Sequence, residues 1–164
     1  MKYLAALLSL VLVVTVAHAE KAPPAPSSAP KSDILKTIGV FQKDPITPAG
    51  FKAGEKVMAF AKTSPQVSVS ISHATVPWYK GKDETDADTR HILLTAYVAG
   101  NIAAQLKSGK RQDEIYAGWL QVLATYGQLL RINSAAKVSE VDNLLKKQTE
   151  GTLQSYAGEV ASGR

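Results

Sequence analysis

Ala87 to Ser108 reads ADTRHILLTAYVAGNIAAQLKS, and Gln112 to Ile132 reads QDEIYAGWLQVLATYGQLLRI. In the first stretch Leu94, Tyr97 or Val98, Asn101 or Ile102, and Gln105 or Leu106 recur at three-and-four spacing. That is the period of one helix face. Asp83, Glu84, Asp86 and Asp88 stand at its start, Lys107, Lys110 and Arg111 at its end, and Gly109 just beyond. Acids first and bases last complement the helix dipole. Ala96, Gly100, Ala103 and Ala104 form a small-residue face that lets another helix approach closely. In the second stretch Ile115, Trp119, Val122, Leu123, Tyr126, Leu129 and Leu130 keep the same spacing. A turn over Ser108–Arg111 makes the two helices antiparallel neighbours.

Further along the chain, Ser139 with Asp142 three residues on predicts a third capped helix. Its stripe is Val141, Leu144, Leu145, Leu153, Tyr156 and Val160. On the other side, Thr47-Pro48 is a helix start, with a hydroxyl at the cap and proline at the first helical position. Phe51, Val57, Met58 and Phe60 make that helix amphipathic, and Pro65 ends it near Thr63. Ser32 caps a shorter helix with Ile34, Leu35, Ile38 and Phe41 on one face, bounded by Gly39 and Pro45.

The period changes once. Val67, Val69 and Ile71 alternate with Ser68, Ser70 and Ser72, which predicts a short strand with hydroxyls on one side. It has three ways to satisfy its backbone: pairing with Ala74–Trp78, lying as extended chain over helices, or pairing with another molecule. The expected fold is all-α: a small antiparallel bundle of about four helices with one short extended segment. Tetratricopeptide-like stacking is the competing architecture, but its repeat of about 34 residues is absent.

Met1–Ala19 reads as a secretory signal peptide. Lys2 supplies the charged start, Leu4–Val16 the apolar run, and Ala17-His18-Ala19 the small-x-small cleavage site before Glu20. The apolar run is shorter than the ~20 residues a membrane span needs. The expected location is therefore outside the cytoplasm, periplasmic or secreted, with no transmembrane segment once the leader is gone. Residues 20–31, EKAPPAPSSAPK, hold four of the chain's 8 prolines and read as an extended tether. Residues 32–164 read as one helical domain.

The 164-residue chain has no cysteine, which rules out disulfides, thiolate zinc sites and thiol nucleophiles. Its formal net charge of +5 is modest, and the basic residues are scattered. With no recognisable motif, nucleic acid is not an expected partner for an exported chain. No Gly-x-Ser-x-Gly elbow and no glycine-rich phosphate loop is present. No cofactor is called for, and no catalytic residue can be named.

Two constellations merit weighing. The first is the strand Val67, Val69 and Ile71 with the corner Trp78-Tyr79, a candidate surface for a protein or glycan partner of the envelope or exterior. Loop aromatics are frequent anchors, although the favoured reading of Trp78 is a plug for the open end of the bundle. The second is His73, Asp88 and His91, a candidate metal set. Asp88 and His91 share a helix face at i, i+3, and His73 is the only other histidine after the leader. A catalytic zinc needs three protein ligands. The bland reading of Asp88 is acidic support of a helix start. The favoured function is a non-enzymatic, exported, protein- or ligand-binding helical module. The alternative is a metal-binding protein or metal-dependent hydrolase.

Overall fold

The computed structural model describes residues 30–80 and 87–163. The leader, all but the end of the tether and the acidic run Asp83–Asp86 fall outside them. Among the described residues there are six helices: α1 Lys31–Lys43, α2 Pro48–Thr63, α3 Ala87–Ser108, α4 Ile115–Ile132, α5 Ser139–Thr149 and α6 Leu153–Ala161. A 3-10 turn, Pro77–Lys80, lies between α2 and α3 in chain order. No described residue forms a strand.

The chain is built around α3. Its dipolar ends and apolar content predict a helix, but the stripe reading undercounts its contacts. Of its 22 residues, 16 are buried, including both members of each pair Tyr97/Val98, Asn101/Ile102 and Gln105/Leu106. A helix buried on nearly all sides is a central rod rather than a surface helix. It packs on α4 most extensively, and on α2, α1 and the 3-10 turn. The small-residue face lets α4 come close. A Cβ on Gly100 would sit 2.5 Å from the Ala117 carbonyl oxygen, and one on Gly118 would sit 2.6 Å from the Tyr97 ring. Both positions therefore need glycine for van der Waals reasons alone.

The α2 start follows its local signal. The Thr47 hydroxyl accepts the Gly50 N–H at 3.1 Å, and Pro48 opens the helix. At the other end of the domain the expected third helix is two helices. Gly151 adopts φ 73°, a left-handed conformation that glycine enters without cost. The Thr152 N–H reaches the Lys147 carbonyl at 2.9 Å and the Gly151 N–H reaches Gln148 at 3.2 Å. This paired pattern terminates α5, and α6 restarts at Leu153. The expectation of about four helices is thus corrected by this glycine and by the full-length α1, which runs through Gly39.

The cap expected at Ser139 is also corrected. Val138 takes the cap position with no side-chain bond. Asp142 instead accepts the Tyr126 hydroxyl at 2.9 Å, and that hydroxyl accepts the Val138 N–H at 3.0 Å. A tyrosine on α4 does what the capping box was expected to do.

Candidate functional site

The Val67–Ser72 segment forms no strand and has no regular secondary structure. Of the three arrangements open to it, the chain lies over helices. Its backbone groups bond to side chains from α3 and from the loop before α4. The Gln105 side chain accepts the Ser68 N–H at 2.9 Å and donates to the Ser68 carbonyl at 2.7 Å. A single carboxamide thus makes the two bonds that a neighbouring strand residue would make. The Asp113 carboxylate accepts the Ser70 N–H at 3.1 Å, Arg111 Nε donates to the Val67 carbonyl at 3.2 Å, and the Tyr97 hydroxyl donates to the Ser70 carbonyl at 3.3 Å.

Behind this first row stands a second. Asn101, with no exposed surface, donates to Asp113 at 2.5 Å. Its side-chain oxygen accepts Gln105 Nε2 at 2.6 Å and the Glu114 N–H at 3.0 Å. These bonds pull residues 112–114 out of the expected helix, so α4 begins at Ile115 rather than Gln112. Burial, and next the Asp113 charge, push the Tyr97 phenol well above its ordinary range. Tyr97 therefore stays a neutral donor.

The following turn is held as firmly. The Thr75 hydroxyl donates to the Ser70 carbonyl at 3.0 Å and accepts the Ser72 N–H at 2.9 Å. The Thr75 carbonyl accepts Trp119 Nε1 at 2.7 Å. Trp119 is fully buried on α4 and stacks on Tyr156 of α6, ring centres 5.3 Å apart. One buried tryptophan therefore ties the turn to both of those helices.

The side chains of the candidate surface separate on this frame. Val67 is buried and Val69 half-buried, so both belong to the core side. Trp78 is 0% exposed, lies edge-on to the Tyr97 ring and gives its carbonyl to Arg90. Trp78 is thus a core residue, which corrects its candidacy as a contact. Ile71 at 51% and Tyr79 at 46% exposure remain on the surface. With Ser72, His73, Val76 and Lys80 they line a notch of about 190 Å³. On its other side the same turn walls a second cavity of about 370 Å³, lined by Ser70, Ser72, Thr75 and Asp113 with Ile115 and Val160.

The metal set does not assemble. His73 lines the Ile71–Tyr79 notch, whereas Asp88 and His91 line a different cavity with Phe51 and Glu55. Among the described residues no three His, Cys, Asp or Glu side chains are grouped to hold a metal ion. Nor is any helix among them long and apolar enough to cross a membrane.

Sequence reasoning missed Gln105, Asn101, Asp113 and Trp119 as the frame of this surface. The available signal was two carboxamides at stripe positions of an otherwise apolar helix, since buried amides demand partners. Comparison with protein-family models, with curated proteins and with solved structures gave no match.

Proposed function

We propose that the protein is an exported, non-enzymatic binding module whose contact surface is the Ile71–Tyr79 notch. The observation that carries this reading is two large apolar side chains left half-exposed on a turn whose backbone is pinned on both sides. Preorganised apolar anchors around a small notch suit capture of one partner side chain, because little ordering entropy remains to be lost. The volume of about 190 Å³ is below the usual range for a small-molecule pocket, ~300–1,000 Å³, which favours a protein partner over a free ligand.

The test is capture from native envelope with the intact protein and with Ile71→Asp/Tyr79→Ala. Both residues are exposed, so the double variant should keep its stability within about 0.5 kcal/mol per site. Loss of a specific, identified partner at unchanged stability supports the reading. Equal capture by both proteins refutes it. Export is checked separately by the mass of the processed chain, which should begin at Glu20.

A second reading follows from the polar cavity on the far side of the turn. Its hydroxyls and the Asp113 carboxylate suit a hydroxylated ligand such as a glycan. Ser70→Val, at a residue that lines this cavity and not the notch, should then abolish sugar binding seen by calorimetry, while the Ile71/Tyr79 double variant should not.

A further inference from the structure

A different part of the molecule carries an independent inference. Of the eight large apolar side chains left exposed among the described residues, three fall within twelve residues: Val40 at 47%, Ile46 at 37% and Phe51 at 45%. Single exposed apolar residues are ordinary, but clustered ones mark an interaction site. Their placement is specific. Val40 is in the last turn of α1, Ile46 in the chain reversal, and Phe51 in the first turn of α2. All three therefore lie within about one helical turn, ~5 Å, of the tip of the α1–α2 hairpin.

The tip is rigid. The Thr47 hydroxyl donates to the Asp44 carbonyl at 3.0 Å while accepting the Gly50 N–H at 3.1 Å. The Asp44 carbonyl oxygen lies where a Cβ on residue 50 would be, only 1.9 Å from it, so only glycine permits this close reversal. Pro45 is buried beneath.

The surrounding charge has one sign in excess. Residues 31–63 hold six lysines against Asp33, Asp44 and Glu55, a net +3. Lys43 and Lys52 flank the tip, both exposed, with Lys56 one turn and Lys36 two turns behind. Val40 shares one groove with Lys52 and Lys56. Asp44 sits at the reversal, and Glu55 and Asp88 border Phe51 on its α3 side, so the attraction rests on the lysines of the outer faces.

We infer that the α1–α2 hairpin tip docks on an anionic lipid bilayer, Ile46, Phe51 and Val40 entering the interface while Lys43 and Lys52 meet the phosphates. Apolar knobs ringed by long cationic side chains match the bilayer boundary, where stems are buried and ammonium groups remain at headgroup depth. Val40 and Phe51 open on different grooves, so a single acidic protein groove would not engage both, whereas a bilayer meets the whole tip at once. The inference does not depend on the Ile71–Tyr79 notch.

The experiment is sedimentation of the full chain with vesicles of phosphatidylcholine containing phosphatidylglycerol, and with phosphatidylcholine alone. Binding is expected only to the anionic vesicles. Ile46→Ser/Phe51→Ser should weaken it by about tenfold or more, and Lys43→Glu/Lys52→Glu by a similar factor. Because these positions are exposed, each variant should retain the native circular dichroism. As a direct probe, Ile46→Trp adds an indole where the native Trp78 and Trp119 are both fully buried. Its emission should shift to the blue on anionic vesicles. Absence of vesicle binding overturns the inference. So does binding that needs the lysines but ignores Ile46 and Phe51, with no blue shift, which would mark mere adsorption to negative charge.

Discussion

The α3–α4 pair and the Val67–Thr75 segment lie against each other yet are held by opposite means. The helices satisfy their own backbones and are joined by apolar burial at glycine contacts, Gly100 against Ala117 and Gly118 against Tyr97. The segment has no internal ladder. Its amides and carbonyls are held by Gln105, Asp113, Arg111, Tyr97 and Trp119 from other elements, and by its own Thr75 hydroxyl. Apolar contact is forgiving of direction, whereas a hydrogen bond fixes distance and angle. The candidate notch lies on the segment for this reason. Polar clamps can hold an irregular chain in one shape while leaving Ile71 and Tyr79 outside.

One residue, Trp119, serves both regions. Trp119→Ala removes a fully buried indole from the core and the donor to Thr75 at once. Denaturant melts should show a loss of about 3–5 kcal/mol. A loss below about 1 kcal/mol would mean that the two regions are not joined there.

Gln105→Leu tests the segment alone. It replaces the carboxamide by an apolar side chain of similar size and so removes both bonds to Ser68 and the one to Asn101. A cost of about 1–3 kcal/mol is expected. Hydrogen exchange should accelerate at Ser68 and Ser70 while the α3 and α4 amides stay protected. Uniform acceleration would show one cooperative unit instead of two differently held ones.

Tyr97→Phe is milder, about 1 kcal/mol at neutral pH, for the bond to Ser70. It also changes the alkaline limb. The folded phenol is raised chiefly by burial and then by Asp113, so the fold retains a proton that the unfolded chain releases near pH ~10. That contribution is complete below about pH 10 and is lost as pH rises through the elevated native value. Urea melts from neutral to alkaline pH should therefore fall more gently for Tyr97→Phe. Parallel curves would contradict it.

The smallest effect tests the helical half without touching the clamps. Gly127 lies inside α4, and a methyl group added there would meet nothing within 4 Å. Gly127→Ala should stabilise by up to about 1 kcal/mol and leave Ser68 exchange relative to global unfolding unchanged.

The two regions also differ in how far the sequence disclosed them. The limits of α3, the start of α2 at Thr47-Pro48 and the close face at Gly100 were legible because each signal lies within a few residues of what it controls. The break at Gly151 was as local, but an apolar stripe running from Val141 to Val160 masked it. The state of Val67–Ser72 was not legible, since alternation fits both a strand and a chain laid over helices. Its true partners are 37 and 43 residues away, at Gln105 and Asp113. Trp78 next to Tyr79 shows the same limit. Adjacent aromatics are alike in sequence, and only the 3-10 turn sends one into the core and the other outward.

The side-chain clamp on Ser68 and Ser70 has a consequence for survival among peptidases. Such enzymes read the main-chain amides and carbonyls of their substrates, and residues 68–72 run without helix, largely exposed at the surface. Because Gln105 and Asp113 already occupy those groups, scission must wait for the clamp to open. The rate of nicking in this stretch then follows how often it does so.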